Sequence, residues 1–453
     1  MLRLHDTATG RVRPLELREP GKVSMYVCGP TVDNVPHLGH GRFALVFDVL
    51  RRYLEWRGLA VRYVSNITDI DDKIINRANR EGCTSEEVAA TYEAAWWAAM
   101  DGLGVRRPDA DPHATGYVGA MVELVERLVG QGSAYHTADG VYLAVDTVPG
   151  YGLLARQPLE SLRAGARVEV DEEKRSPLDF VLWKRAKPGE PSWSSPWGPG
   201  RPGWHTECVA MSLDLLGDDF DIHGGAVDLP FPHHENERAQ AVALGRRFAR
   251  HWVHNGWVMA GGEKMSKSLG NFTSLTDLLE RVDGRAYRLL VLRSHYRSPL
   301  EVTPATTADA EAALEGLDNL VRRAGEVGLP ETAPDSEAVE RFTAAMDDDL
   351  DTPAAVALLF DLRRRANTAL DAGDGAAARP LVAAVREVAG AVGLALVTDG
   401  DVVLDLDTTA LVTLRDRQRA AGDWAGADAT RDELVARGWV VEDTPEGTRV
   451  RRH

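Results

Sequence analysis

The stretch from Val23 to Ile67 limits the fold more tightly than any other part of the chain. Val23-Ser-Met-Tyr-Val-Cys28 reads as a strand closed by the turn residues Gly29-Pro30. A loop from Thr31 to Pro36 leads to His37-Leu-Gly-His40. Leu45, Val46, Val49, Leu50, Tyr53 and Leu54 then recur at helical spacing until Gly58. Val61 to Ile67 makes a second strand, followed by the acidic loop Thr68-Asp-Ile-Asp-Asp72. Strand, loop, helix and strand in this order open an α/β, doubly wound parallel sheet, whose ligands lie beyond the carboxyl ends of its strands. Cys28, His37, His40 and Asp69 all fall there.

A second stretch, Phe220 to Glu237, carries further chemistry. It is expected to run as a strand (Phe220 to Ile222), a glycine turn at Gly224-Gly225, and a helix opening just after Pro232, since proline suits a first helical turn. His233 and Glu237, four residues apart, then share one helix face. Cys28 and Cys208, each expected where a strand ends or a loop begins, add two thiolates. Two sulfurs, an imidazole and a carboxylate suit zinc. His234 competes with His233 for the ligand role, but only His233 shares the face of Glu237. Cys83, in the loop before the capping box Thr84-Ser-Glu-Glu87, reads as structural or idle. Three cysteines are too few and too scattered for a disulfide framework.

Two segments suit phosphate. In His37-Leu-Gly-His40, two imidazoles meet at a helix start, where free N–H groups and the dipole attract anions. Lys264-Met-Ser-Lys267-Ser lies in a glycine-flanked loop suited to a mobile clamp. Together they imply ATP held from two sides. A Gly-, Pro- and Trp-rich tract, Lys187 to Gly203, marks an insertion, after which the sheet is expected to resume near Gly203-Trp-His-Thr-Glu-Cys208. Beyond Ala305 the composition turns alanine-rich and helical, with a linker of short strand pieces (Leu396 to Leu406) before a helix pair. With 453 residues, several domains are expected. No apolar run approaches the roughly 20 residues that span a bilayer, and the amino terminus shows no secretory h-region, so a cytoplasmic location is expected. The net charge of −17 is an average that leaves room for local basic patches.

These residues also carry a resemblance. Met25-Tyr-Val-Cys-Gly-Pro-Thr31, His37-Leu-Gly-His40, Thr68-Asp-Ile-Asp-Asp-Lys73, Pro202-Gly-Trp-His-Thr-Glu-Cys208, Phe231-Pro-His-His-Glu-Asn-Glu237 and Lys264-Met-Ser-Lys-Ser268 occur in one order over essentially the full chain. The chain resembles the class I aminoacyl-tRNA synthetases, and among them the cysteinyl-tRNA synthetase family. It departs from the family pattern at Ala226, where a third glycine is usual, and at Val32-Asp-Asn-Val-Pro36.

The resemblance implies a Rossmann-type catalytic domain (1–115 and 202–258) with an insertion (116–201) and a lysine loop with stem-contact region (259–304). A helical bundle (305–394) and a small anticodon-binding module (395–453) follow. It implies one zinc per chain on Cys28, Cys208, His233 and Glu237, joined by the thiolate of the substrate cysteine. Magnesium accompanies ATP, and cysteine passes through an adenylate to tRNA-Cys. His37, His40, Lys264 and Lys267 would hold the phosphates. Gly29, Thr31, Thr68, Trp204, His223, Gly224, Gly225 and Asp228 would shape the amino-acid and nucleoside pocket. Arg419, Trp424, Asp428, Arg431 and Asp443 match the anticodon module, and Arg285, Arg288, Arg293 and Arg297 are the expected basic patch. A monomer is expected. A related ligase that joins cysteine to a glucosaminyl-inositol would share the adenylate motifs, but the carboxyl module and Glu237 favour the tRNA enzyme. Retention of both lysines and both histidines argues against a catalytically idle RNA-binding relative.

Overall fold

Alternation along the strand Lys22–Val27 decides which side of the sheet each residue serves. Val23, Met25 and Val27 enter one apolar core, while Tyr26 and Cys28, just past the strand end, enter another. That is the period-two geometry of a strand buried on both faces. The computed structural model describes residues 1–156, 174–260, 263–264, 274–397, 406–444 and 447–452. In it, Lys22–Val27 lies between Ala60–Ser65 and Ile222–Ala226, with His251–Asn255 outermost, and all four strands are parallel. The helix Leu38–Trp56 carries the chain from Lys22–Val27 to one side; the later strands add on the other. Strand order therefore reverses beside Val27, which is paired with Gly224, and a doubly wound sheet opens its ligand crevice at such a reversal.

Two expected local structures are corrected. Gly203 to Cys208 does not resume the sheet: Gly203 is the cap of a helix, Trp204–Leu215, and Cys208 lies within it. Thr206 to Leu213 are all buried, so the segment shows no amphipathic period to mark it as helical. Gly224 and Gly225 are not a turn but the middle of the strand Ile222–Ala226. A Cβ at Gly224 would sit 2.3 Å from the Phe47 ring, and one at Gly225 2.7 Å from the His234 ring. Close packing demands the two glycines here, not chain reversal. Lys264 lies in a two-residue strand paired with Met259–Ala260, whereas Lys267 and the rest of the expected clamp lie outside the described residues. Of the expected strand pieces between Leu396 and Leu406, residues 398–405 also lie outside them.

Between residues 134 and 202 the strands Ala134–His136, Gly140–Leu143, Phe180–Arg185 and Gly200–Pro202 form a separate antiparallel sheet. It is clasped to the parallel sheet by Asp72, whose carboxylate takes Lys184 Nζ at 2.6 Å and also pairs with Arg201. The helices Pro304–Glu326, Ser336–Asp347, Thr352–Asp371 and Gly375–Ala391 share their apolar core with the inner face of Leu38–Trp56. Helices Leu406–Ala420 and Trp424–Ala436 and the hairpin Trp439–Thr444/Gly447–Arg452 close the chain around a small core of Leu434, Trp439, Val441 and Val450.

The expected basic patch is not a patch. Arg288, 1% exposed, pairs with buried Asp48 at 2.7 Å. Arg285 is held by Asp283 and Asp318, Arg297 pairs with Asp349, and Arg293 lies 4.0 Å from Asp309. The four guanidiniums join the helix Gly284–Leu292 and the segment after it to their neighbours. Asp48 also takes Arg52 at 2.8 Å. Asp48→Ala should destabilise the protein by about 3–5 kcal/mol, because it leaves Arg288 buried and uncompensated. Urea unfolding would measure this, and replacing the pair together by leucine and methionine should recover most of the loss.

Candidate metal centre and active site

Three segments bring four donor atoms together at the reversal of strand order. Cys28 follows the strand Lys22–Val27, Cys208 projects from Trp204–Leu215, and His233 and Glu237 come from the π-turn Pro230–His234 and the helix Glu235–Ala243. The i, i+4 face survives this junction: His233 Nε2 lies 3.0 Å from Glu237 Oε1. Cys28 Sγ stands 3.6 Å from Cys208 Sγ and 3.3 Å from Glu237 Oε1, and Cys208 Sγ is 3.7 Å from His233 Nε2. Zinc bonds of about 2.0–2.3 Å at tetrahedral angles require donors about 3.3–3.8 Å apart. Three of the four separations fall in that range, and the fourth is within a few tenths of it. All four residues are buried. The donor set fits a divalent zinc-type ion in chemistry and in spacing.

Cys28, His223, His234 and Glu237 also cluster within the same distance. In that set, however, His223 Nε2 is committed to Glu237 Oε2 at 2.7 Å and His234 Nδ1 to His254 Nε2 at 2.9 Å. It also offers one sulfur where the first set offers two, so the first is the better soft-metal site.

Burial sets the protonation of the metal-free donors. It pushes the Cys28 and Cys208 thiols up, Cys28 well above the ordinary range, and holds His233 well below it, neutral and able to ligate. With Nε2 facing the other donors, His233 presents Nδ1 to His205 Nδ1 at 2.9 Å. His205 is pushed down to about 3 by burial and stays neutral, and with Nε2 on a metal His233 would donate Nδ1–H to it. The Trp204 ring stacks on His233 with centroids 3.9 Å apart.

The histidine pair is built into the start of Leu38–Trp56. His37 is the N-cap: its Nδ1 accepts from His40 N at 3.3 Å, and His40 Nδ1 accepts from His37 N at the same distance. With both Nδ1 atoms accepting, each neutral ring carries its proton on Nε2 and presents a donor. The rings stack with centroids 3.7 Å apart. Ser274, where the described chain resumes after the lysine segment, bridges to His37, so the far end of that segment is tied to the histidine pair.

The other expected pocket residues surround the same crevice. Thr31 bridges to Thr68, Gly29 N donates to Asn66 Oδ1 at 2.9 Å, His223 lies under Glu237, and Gly224 and Gly225 present strand backbone. Asp228 is exposed in the turn after that strand. Far from these, Trp424 (63% exposed), Asp428 and Arg431 line one face of Trp424–Ala436, and Arg419 pairs with Asp443 at 2.5 Å. Sequence reasoning missed Asn66, His205, Glu207 and His254. Two of them flank motif residues already singled out, but His254 is brought in only by the pairing of its strand with Gly225.

Comparison with known proteins agrees with this geometry. The family described as tRNA synthetases class I (C) catalytic domain matches residues 14–312, and the DALR domain matches residues 341–397. The Cysteine--tRNA ligase of Halorhodospira halophila is 49% identical over 463 residues, covering 100% of both chains. That of Thermotoga maritima is 45% identical and covers 99% of each. Mycobacterium tuberculosis methionyl-tRNA synthetase in complex with methionyl-adenylate shares the fold, with a TM-score of 0.63 at 16% identity over 89% of this chain and 96% of that one.

In metal-free protein, Cys28 and Cys208 should alkylate far more slowly near neutral pH than exposed Cys83. Each unit by which burial raises a thiol's pKa cuts its thiolate fraction about tenfold. Peptide mass spectrometry after brief iodoacetamide treatment reads this out; equal labelling of all three would mean the donor cluster is open to solvent.

Proposed function

From the chain's place in the cysteine--tRNA ligase family, to which it belongs, we propose how its site carries out cysteine activation and tRNA charging. It is an ATP-dependent enzyme of the class I synthetases that joins L-cysteine to tRNA. The observation that carries the detailed proposal is the convergence of Cys28, Cys208, His233 and Glu237 on one buried point.

Cys28, Cys208, His233 and Glu237 would hold one zinc ion. When bound, that ion supplies a Lewis acid that takes the substrate sulfur as a thiolate, a demand a serine hydroxyl meets only at much higher cost. Selection of this kind separates near-isosteres by chemistry, where an apolar pocket separates them poorly. Gly29, Thr31, Thr68, Trp204, His223 and Asp228 shape the amino-acid pocket around it. Gly224 and Gly225 leave the strand surface bare for the nucleoside.

In the first half-reaction the carboxylate of cysteine attacks the α-phosphorus of ATP. A P–O bond forms to the carboxylate oxygen, and the bond to the bridging oxygen breaks, releasing pyrophosphate. No protein nucleophile takes part, so the residues act by position and charge. His37 and His40 donate Nε2–H to the phosphates at the helix start, where the dipole adds to them. Lys264 and Lys267 close from the other side, and magnesium accompanies the nucleotide. A terminal hydroxyl of tRNA-Cys then forms an ester bond to the cysteinyl carbonyl carbon, the anhydride C–O bond breaks, and AMP and the hydroxyl proton leave. Arg419, Trp424, Asp428, Arg431 and Asp443 would read the anticodon, with the Asp443 carboxylate oriented by Arg415 and Arg419.

All four proposed ligands and both histidines come from one chain, which supports a monomer as the working unit. Among the described residues no helix is long and apolar enough to cross a membrane. Paired thiols that must stay reduced for metal binding support a cytoplasmic location.

Cysteine-dependent exchange of labelled pyrophosphate into ATP tests the activation step, and its absence from zinc-loaded protein would refute it. Cys208→Ser should lose bound zinc and cysteine-dependent exchange together. Lys267→Ala should slow exchange by about 10²–10³-fold while the cysteine KM stays within about threefold. An equal loss in both parameters would make the lysine structural.

A further inference from the structure

Next to the donors lies a buried polar group that neither phosphate binding nor metal ligation uses. Glu207, 1% exposed, precedes Cys208 in the helix Trp204–Leu215. Its Oε2 is 3.0 Å from Thr68 Oγ1. The same hydroxyl lies 3.1 Å from Asn66 Nδ2, and Asn66 Oδ1 is 2.9 Å from Gly29 N. Asn66 and Thr68 are buried as well.

The direction of the bonds is set from the Gly29 end of this chain. A backbone N–H only donates, so Asn66 must turn its carbonyl to Gly29 and its amide nitrogen to Thr68. The Thr68 hydroxyl accepts that amide proton and has one proton of its own, which goes to Glu207. Thr68 is thereby engaged through its hydroxyl with both neighbours. Its backbone is equally committed: Thr68 N donates to Pro30 O at 3.0 Å, and Val32 N donates to Thr68 O at 3.1 Å. The two segments approach so closely that a Cβ on Gly29 would fall 1.7 Å from the backbone oxygen of Asn66, so glycine is required there.

The two ends of this chain are what give it meaning. Gly29 follows Cys28 and Glu207 precedes Cys208, and the two sulfurs they flank are 3.6 Å apart. Cys208 Sγ also stands 3.8 Å from Asn66 Oδ1, an acceptor for the thiol that is released when the sulfur loses its proton.

We propose that Asn66, Thr68 and Glu207 form one positioning relay that sets the separation of Cys28 and Cys208 and thereby the metal affinity of the site. This rests on the zinc assignment proposed above. Thr68 is the middle member of the relay.

Thr68→Val keeps the side-chain shape, removes the hydroxyl and leaves two buried groups unpaired, whereas Thr68→Ser keeps the relay. Zinc affinity of the purified full-length chain, measured by competition with a chromophoric chelator, should fall about 10–100-fold in Thr68→Val and stay within about threefold in Thr68→Ser. The thiolate-to-metal band of the cobalt(II)-loaded protein should shift and weaken in Thr68→Val only. Should Thr68→Val fail to fold, Glu207→Ala against Glu207→Gln makes the same comparison, since a glutamine oxygen still accepts from Thr68. Wild-type affinity and an unaltered cobalt spectrum in Thr68→Val, or equal affinities in the two Glu207 variants, would overturn the relay. Wild-type protein that binds neither metal would instead overturn the zinc assignment itself.

Discussion

A carboxylate buried to 0% exposure, beside two thiols and two imidazoles, is the constraint around which the catalytic half is arranged. Glu237 cannot sit there uncompensated, because an unpaired charge in a protein interior is very costly. Its Oε2 accepts from His223 and its Oε1 faces His233 and Cys28, so both oxygens meet a partner or a shared ligand point. That arrangement needs the strand that leads to Cys28 beside the strand that bears His223, where Tyr26 pairs with His223. It also needs a helix after the insertion, so that Cys208 reaches the same point from above the sheet.

The helix Leu38–Trp56 transmits this order to the rest of the molecule. Its first turn bears the stacked histidines, and its later turns carry Asp48 into the shared core to meet Arg288. Between them Arg42, 0% exposed, has no carboxylate partner among the described residues. Its guanidinium caps the backbone carbonyls of Trp257, His295, Tyr296 and Ser298 instead. Burial lowers it to about 10, and it remains charged at neutral pH. Trp257 precedes the lysine segment and Ser274 ends it, so both flanks of that segment are fastened to the helix that carries His37 and His40. Both flanks of the segment proposed to clamp phosphate are thus referred to one helix.

Much of this was legible in the residues, for identifiable reasons. The strand Lys22–Val27 announced itself by alternation, Leu38–Trp56 by its apolar spacing, and the helix after Cys83 by its capping box, because each pattern is a local consequence of backbone geometry. The donors His233 and Glu237 shared a face because four residues make one helical turn. The misreadings came where neighbours from elsewhere overrode local signals. Trp204–Leu215 is buried on almost every side and shows no stripe, and the Gly224-Gly225 pair is explained by the rings of Phe47 and His234 rather than by a turn. The arginines from 285 to 297 looked like a charged surface because their partners Asp48, Asp309, Asp318 and Asp349 lie far away in sequence.

By itself the sequence determined the chemistry: two cysteines, a histidine and a glutamate able to take a soft metal, and paired histidines and lysines suited to phosphate. Those choices depend on functional groups and short spacings, which the order of residues records directly. Only the tertiary structure decided which donors meet, which histidine is tuned by His205, and how Asn66, Thr68 and Glu207 link the two cysteine segments. Cys28 and Cys208 are separated by the whole insertion, and a separation of 3.6 Å between their sulfurs is a property of packed strands and helices. Burial, which sets the protonation of those groups, exists only once the chain has closed around them.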